Sequence, residues 1–165
     1  MKDIINKIIE FNKVWSDPEH CLRAVKQDDR LIKYVKNPTP EMGSIAINRD
    51  INNCDFIILP ESKDKLEKFL NELSILLYQN SYFDFELIDS TMSRMLERYE
   101  AYSDPIHNLK MVKQFSYVIK FIVKQTPEIC AEAIKQNSEA YMYVRLPETE
   151  PEREKFIRKL GFLLL

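Results

Sequence analysis

The chain has 165 residues, of which 45% are hydrophobic and 30% charged, and its formal net charge is −2 at neutral pH. These fractions are typical of a folded globular protein and exclude a disordered chain. The nearly balanced charge gives no electrostatic footprint for nucleic acid or for an anionic membrane. Only two glycines stand against eight prolines. This ratio disfavours the glycine-dependent turns of an antiparallel sheet and favours short helices that begin at proline.

The three cysteines indicate a reducing compartment. Cys21, Cys54 and Cys130 are odd in number and widely spaced, which favours free thiols over a disulfide framework. No apolar run reaches the roughly 18 residues needed to span a bilayer, and the first residues lack the apolar stretch of a signal peptide. We therefore predict a cytoplasmic protein, in the host cytoplasm if it is viral, that has no membrane partner.

The first predicted element is a helix over residues 2–14, with a one-sided apolar stripe that includes Ile4 and Ile8. Shorter helices follow, each predicted to begin at a proline that an Asp, Ser or Thr precedes, and each followed by a polar break and a second short helix. Their first residues are four prolines. Pro18 and Pro40 lie 22 residues apart, and so do Pro105 and Pro127. A longer helix is predicted over 63–78, with an apolar stripe at helical spacing.

The second half of the sequence repeats the first. Shifting the chain by 87 positions aligns residues 1–78 with residues 88–165 without a gap, and 25 of the 78 pairs are identical. We therefore predict a tandem duplication, with halves at 1–78 and 88–165 joined by a connector at 79–87, folding as one cooperative domain. The predicted fold class is all-α, built from short-helix repeats in an α-solenoid-like arrangement or a compact helical bundle.

Several stretches resemble a known repeat. Residues 37–41 read Asn-Pro-Thr-Pro-Glu, residues 21–28 read Cys-Leu-Arg-Ala-Val-Lys-Gln-Asp, and residues 126–137 combine both patterns. This pattern is similar to an uncharacterised helical repeat family that is abundant in giant DNA viruses and present in some bacteria and protists. Gly43-Ser44 and Asn108 depart from it. The resemblance implies a helical repeat fold and is compatible with a viral origin. Because the family has no established activity, no functional residue can be assigned from it.

Few residues offer chemistry. His20 and His107 occupy equivalent positions in the two halves. The residue after His20 is Cys21, but the residue after His107 is Asn108, so a Cys-His pair of metal ligands is not repeated, and no carboxylate recurs at ligand spacing. The recurring lysines near helix ends are explained by the helix dipole. No phosphate loop or nucleophile motif occurs. We expect no catalytic residue, no metal site and no cofactor.

The connector supplies the only candidate partner-binding residues, Tyr82, Phe83 and Phe85. Large aromatic side chains anchor protein interfaces. They also suit a wedge that packs two halves together, and the wedge is the preferred interpretation. Both interpretations stay open at the level of the sequence.

Two functions remain. The first is a non-enzymatic helical-repeat module that binds a protein partner, as a virus- or phage-encoded inhibitor or adaptor of a host protein. The alternative is a ligand-binding protein or cryptic enzyme with a pocket between the two halves. A protein partner is expected and nucleic acid is not, and a homo-oligomer is compatible with the sequence.

Overall fold

The computed structural model describes residues 2–80 and 82–165, and over these residues the chain is all-α, with no strand. The all-α prediction is confirmed. The α-helices are α1 (Lys2–Val14), α2 (Pro18–Gln27), α3 (Pro40–Arg49), α4 (Lys63–Asn80), α5 (Phe85–Ala101), α6 (Pro105–Gln114), α7 (Pro127–Gln136) and α8 (Glu150–Leu163). Short 3₁₀ helices are η1 (Asp29–Tyr34), η2 (Ile51–Asp55), η3 (Ser116–Phe121) and η4 (Ser138–Tyr143).

Four of the short α-helices are each followed by a 3₁₀ helix, giving the pairs α2–η1, α3–η2, α6–η3 and α7–η4. Each α-helix of a pair begins at proline, and the side chain just before it accepts a first-turn N–H. The acceptors are Asp17, Thr39, Asp104 and Thr126. The second element of each pair is a 3₁₀ helix of five or six residues, because so short a run cannot sustain an α-helix.

Helix bounds recur at the sequence offset. The elements α2, η1 and α3 span 18–27, 29–34 and 40–49, and α6, η3 and α7 span the same positions shifted by 87. The residues that align in the sequence therefore lie at matching places in their helices. Duplication as the origin of this match stays a prediction.

The chain packs as two units. One comprises Trp15–Ala101, and the other combines the segment that ends at Val14 with Tyr102–Leu165. Packing thus divides the chain after Val14 and after Ala101, and not at the predicted connector 79–87. Gln79 and Asn80 extend α4, and α5 begins at Phe85 and packs in the same unit as α4.

The unit Trp15–Ala101 is built around α4, whose predicted stripe is buried at Leu66, Phe69, Leu73 and Leu77. These side chains pack with buried residues of α2, α3 and α5. A Cβ at Gly43 on α3 would meet side-chain atoms of Ile57 and Leu73 at 3.4 Å, an ordinary van der Waals distance. The departure from the repeat pattern at Gly43 has no structural explanation.

In the other unit, α7 contributes more buried core residues than any other helix. Ile129, Cys130, Ala133 and Ile134 of α7 are buried, and Phe156 of α8 packs with them. Ile8 of α1 belongs to the same core cluster. Helix α1 therefore contributes to the core around residues 102–165.

Candidate interaction surfaces

Two long polar side chains at the surface donate to the ends of neighbouring helices. Arg49 of α3 donates to the carbonyls of Val25 and Lys26 at the end of α2. At the matching position of the other unit, Gln136 of α7 donates to the carbonyls of Val112 and Lys113, at 2.9 and 3.3 Å. Both side chains satisfy C-terminal carbonyls that an α-helix leaves without partners. Their role is structural.

A second polar contact attaches α5 to its unit. Arg98 donates to the backbone carbonyls of Asp55 and Ile57, the latter at 2.7 Å. Burial lowers the pKa of the Arg98 guanidinium to about 10 despite the nearby Asp55. Arg94 adds an ion pair to Asp55, with Nε 3.1 Å from Oδ1. These two arginines bind the C-terminal end of η2 to α5.

The other unit binds α1 through an amide. Asn12 Nδ2 donates to the carbonyl of Val144 at 2.9 Å, and its Oδ1 accepts the N–H of Leu146 at 3.1 Å. Val144 lies 87 residues after Ile57, so matching carbonyls receive α1 in one unit and α5 in the other. The donors differ in chemistry, and a buried amide avoids the cost of a buried charge.

All three cysteines are buried, and none forms a disulfide within the described residues. Burial, aided by Asp17, raises the pKa of the Cys21 thiol to about 11. Burial and Asp55 also raise the pKa of Cys54, although Arg94 donates to its sulfur at 2.7 Å. A thiol held protonated is a poor nucleophile. These two cysteines therefore pack as core side chains.

Neither histidine lies in a cluster of metal ligands. His20 packs edge-on against Trp15, with ring centroids 5.3 Å apart, and His107 is exposed. Across residues 2–80 and 82–165, no group of three His, Cys, Asp or Glu side chains is placed to hold a metal. Within the same ranges, every helix is too short or too polar to cross a membrane.

The predicted partner-binding aromatics separate in the structure. Phe83 is partly buried and packs against the core of Trp15–Ala101. Tyr82 is fully exposed, and Phe85 is 68% exposed and stacks on Tyr78 with ring centroids 5.3 Å apart. Phe83 thus packs within a single unit, whereas the rings of Tyr82 and Phe85 are exposed. Neither placement tests whether they bind a partner.

The residue between the α-helix and the 3₁₀ helix of each pair has the same extended backbone, and in three pairs it caps the 3₁₀ helix. Asp28, Asp50 and Asn137 each accept the N–H two residues later, at 3.1, 2.9 and 3.0 Å. In the α6–η3 pair this residue is Phe115, which offers no cap. Replacing an Asp or Asn cap by an apolar residue typically costs about 1 kcal/mol. Phe115 is therefore unfavourable for local stability.

Phe115 begins a row of aromatic rings, the aromatic row, formed by Tyr102, Phe115, Tyr117 and Phe121 with Lys120. The rings of Phe115 and Tyr117 lie 5.8 Å apart, and those of Tyr102 and Phe121 also lie 5.8 Å apart. Lys120 Nζ bridges the two ends, 5.9 Å from the Tyr117 ring and 4.8 Å from the Phe121 ring. Phe115 and Tyr117 are 47% and 57% exposed.

The α2–η1 pair has a different surface at the same place. Asp28 and Arg30, the counterparts of Phe115 and Tyr117, form an ion pair in which Arg30 donates two hydrogen bonds of 2.9 Å. The Arg30 side chain lowers the pKa of the Asp28 carboxyl. A solvated charge pair thus occupies one unit where two exposed rings occupy the other.

Two more residues set the α6–η3 pair apart. Ile106, 72% exposed, stands where the other three pairs carry Glu19, Glu41 and Glu128 in the first turn. Asn108 is fully buried where the others carry Cys21, Gly43 and Cys130. Its Nδ2 donates to the carbonyl of Tyr102 at 2.9 Å, but its Oδ1 has no hydrogen-bond partner among the described residues.

The sequence analysis did not identify the aromatic row. A usable signal was present, because aligning the four Pro-started segments shows Phe115 at a position that is otherwise Asp or Asn. The residues predicted from the sequence, Tyr82, Phe83 and Phe85, lie in the connector and not on the α6–η3 pair. No family model, curated protein or solved structure matches the chain.

Proposed function

We propose that the chain is a protein-interaction module and that the aromatic row on the α6–η3 pair binds a protein partner. The single observation that carries this proposal is the replacement of a capped ion pair by the exposed rings of Phe115 and Tyr117. Exposed aromatic side chains are the usual anchors of protein interfaces. A stability cost without a local benefit is expected at a functional surface.

The interior supports the same proposal. Polar side chains there are engaged with the backbone at Arg98 and Asn12, and burial raises the pKa of the Cys21 thiol. Buried thiols outside any disulfide fit a reducing compartment such as the cytoplasm. Together with the sequence resemblance, this favours an inhibitor or adaptor of a host protein.

A photo-crosslinking experiment tests the surface directly. The photoreactive residue p-benzoylphenylalanine replaces Tyr117 in one sample and Arg30 in a matched control. Both samples are irradiated in the cells that naturally encode the chain. Because only position 117 lies in the aromatic row, we expect a covalent protein adduct there and none at position 30.

Phe115→Asp in the Tyr117 sample should remove the adduct, and mass spectrometry of the adduct identifies the partner. Adducts of equal yield at positions 117 and 30, or an adduct at 117 that survives Phe115→Asp, would contradict the proposal.

A further inference from the structure

The α6–η3 surface is basic as well as aromatic. Between Asp104 and Glu128 the chain carries four lysines and no acidic residue. Lys110 and Lys113 are exposed on α6, at the spacing that places them on the same helix face as Ile106. A partner for this surface should combine apolar side chains with negative charge.

A segment of the same chain has this chemistry. Between Lys68 and Arg94 the sequence carries four acidic residues and neither lysine nor arginine. Within it, Glu86 and Asp89 are exposed on the first turns of α5. The stacked rings of Tyr78 and Phe85 lie beside them, since Asp89 contributes to the raised pKa of Tyr78.

We infer that the occupant of the aromatic row is a second copy of this chain, which docks through the acidic aromatic patch Tyr78, Tyr82, Phe85, Glu86 and Asp89. This inference rests on the proposed function, because it names the partner of the same surface. Each surface is exposed in the folded chain, and each offers the charge that the other lacks. The rings of the two surfaces can stack on one another while the lysines of one surface pair with the carboxylates of the other.

The contact joins two different surfaces, one from each packing unit. In a single contact each copy uses one surface and keeps its other surface free. Head-to-tail contacts of this kind build open chains, or rings where the rotation between copies closes. The expected assembly grows with protein concentration and weakens as salt screens the charges.

Two variants separate the surfaces. Phe115→Asp with Tyr117→Arg gives the α6–η3 pair the cap and ion pair of α2–η1, and removes the two most exposed rings of the aromatic row while favouring folding. Phe85→Ser with Glu86→Lys removes one exposed ring and one negative charge of the acidic aromatic patch and adds a positive charge. Glu67→Lys, an exposed position on α4 outside the acidic stretch, is the control for the change in charge.

Sedimentation velocity of the full chain is the measurement. The wild type and Glu67→Lys should form species larger than a monomer as concentration rises, whereas each double variant alone should stay monomeric, with association weakened about tenfold or more. An equimolar mixture of the two double variants should form a one-to-one dimer and nothing larger, because each supplies the surface that the other lacks.

The equimolar mixture of the two double variants is the most decisive sample, because only it should restore a contact that each variant alone lacks. A monomeric wild type, a double variant that still assembles, or a mixture without dimer would overturn the inference. The crosslinking experiment separates this result from the proposed function. If position 117 captures another protein while the wild type stays monomeric, the surface binds a partner and only its identity as a second copy is wrong.

Discussion

The α2–η1 and α6–η3 pairs have the same length and the same helix bounds shifted by 87 residues, but they differ in what they expose. The first presents the capping ion pair of Asp28 and Arg30. The second presents Phe115 and Tyr117 and buries the amide of Asn108. The difference teaches that the helical framework tolerates a less stable pair, and that the substitutions which lower its stability also create its aromatic surface.

The largest effect should arise in the core, where the two units match. Phe69 and Phe156 are buried at equivalent positions of α4 and α8. Each Phe→Ala change should lower the free energy of unfolding by about 3–5 kcal/mol, through lost burial and a cavity. Urea denaturation measures both. Lys26→Ala, at a solvated side chain, should cost at most about 1 kcal/mol. A Lys26 effect as large as either Phe effect would contradict the assignment of Phe69 and Phe156 to the core and of Lys26 to the surface.

A smaller loss should follow removal of the α5 contact. Arg98→Met keeps the apolar part of the side chain but leaves the carbonyls of Asp55 and Ile57 without this donor. A buried unpaired carbonyl costs about 1–3 kcal/mol, so the urea midpoint should fall. Glu97→Ala, at an exposed position on the same helix, is the control. Equal midpoints for the two variants would show that the Arg98 contacts add nothing.

Asn108→Cys should raise stability. The change removes a buried carbonyl oxygen that has no described partner, and Tyr102 O keeps the N–H of Val123 at 3.4 Å. We expect a gain of about 1 kcal/mol in the free energy of unfolding, since relieving an unsatisfied buried group is worth about that much. Cys21→Asn, the reverse exchange in the other unit, should be destabilising. A loss of stability in Asn108→Cys would mean that the hydrogen bond from Asn108 Nδ2 to the Tyr102 carbonyl outweighs the cost of the unpaired oxygen.

Alkaline pH should act on α2 through Cys21, whereas the matching Asn108 of α6 does not titrate. The thiol ionises at an ordinary pKa of 9.0 when unfolded and near 11 when folded. The unfolded state therefore releases this proton first, and stability falls between these two pH values. Cys21→Ala should show a shallower fall in the urea midpoint over that window. Identical pH profiles for the variant and the wild type would contradict the assigned pKa.

Sequence patterns were sufficient for the helices. Proline with a preceding Asp or Thr predicted where α2, α3, α6 and α7 begin, because φ restriction and capping act locally. The apolar stripe of α4 was also predictable, because helical spacing places its apolar residues on one face, and Leu66 and Phe69 of that stripe are buried. The assignment of α1 to the unit of residues 102–165 was not predictable, since it depends on contacts such as Asn12 with Val144.

The candidate surface was harder to predict, because exposure is a tertiary property. Tyr82, Phe83 and Phe85 are equally apolar in sequence, but only Phe83 packs on the core. At Phe115 the aligned sequences show that an Asp or Asn is missing. The structure adds that this residue caps the 3₁₀ helix in the other three pairs, which the alignment alone does not show.

The most direct measurement is the free energy of unfolding of Phe115→Asp relative to the wild type. This variant places a capping carboxylate at the position that Asp28 occupies in α2–η1. If Phe115 was retained at the expense of a cap, the variant should be more stable by about 1 kcal/mol, and it should lose the adduct at position 117. An unchanged or lowered free energy of unfolding would show that Phe115 contributes to the fold, and would contradict a surface built at the cost of stability.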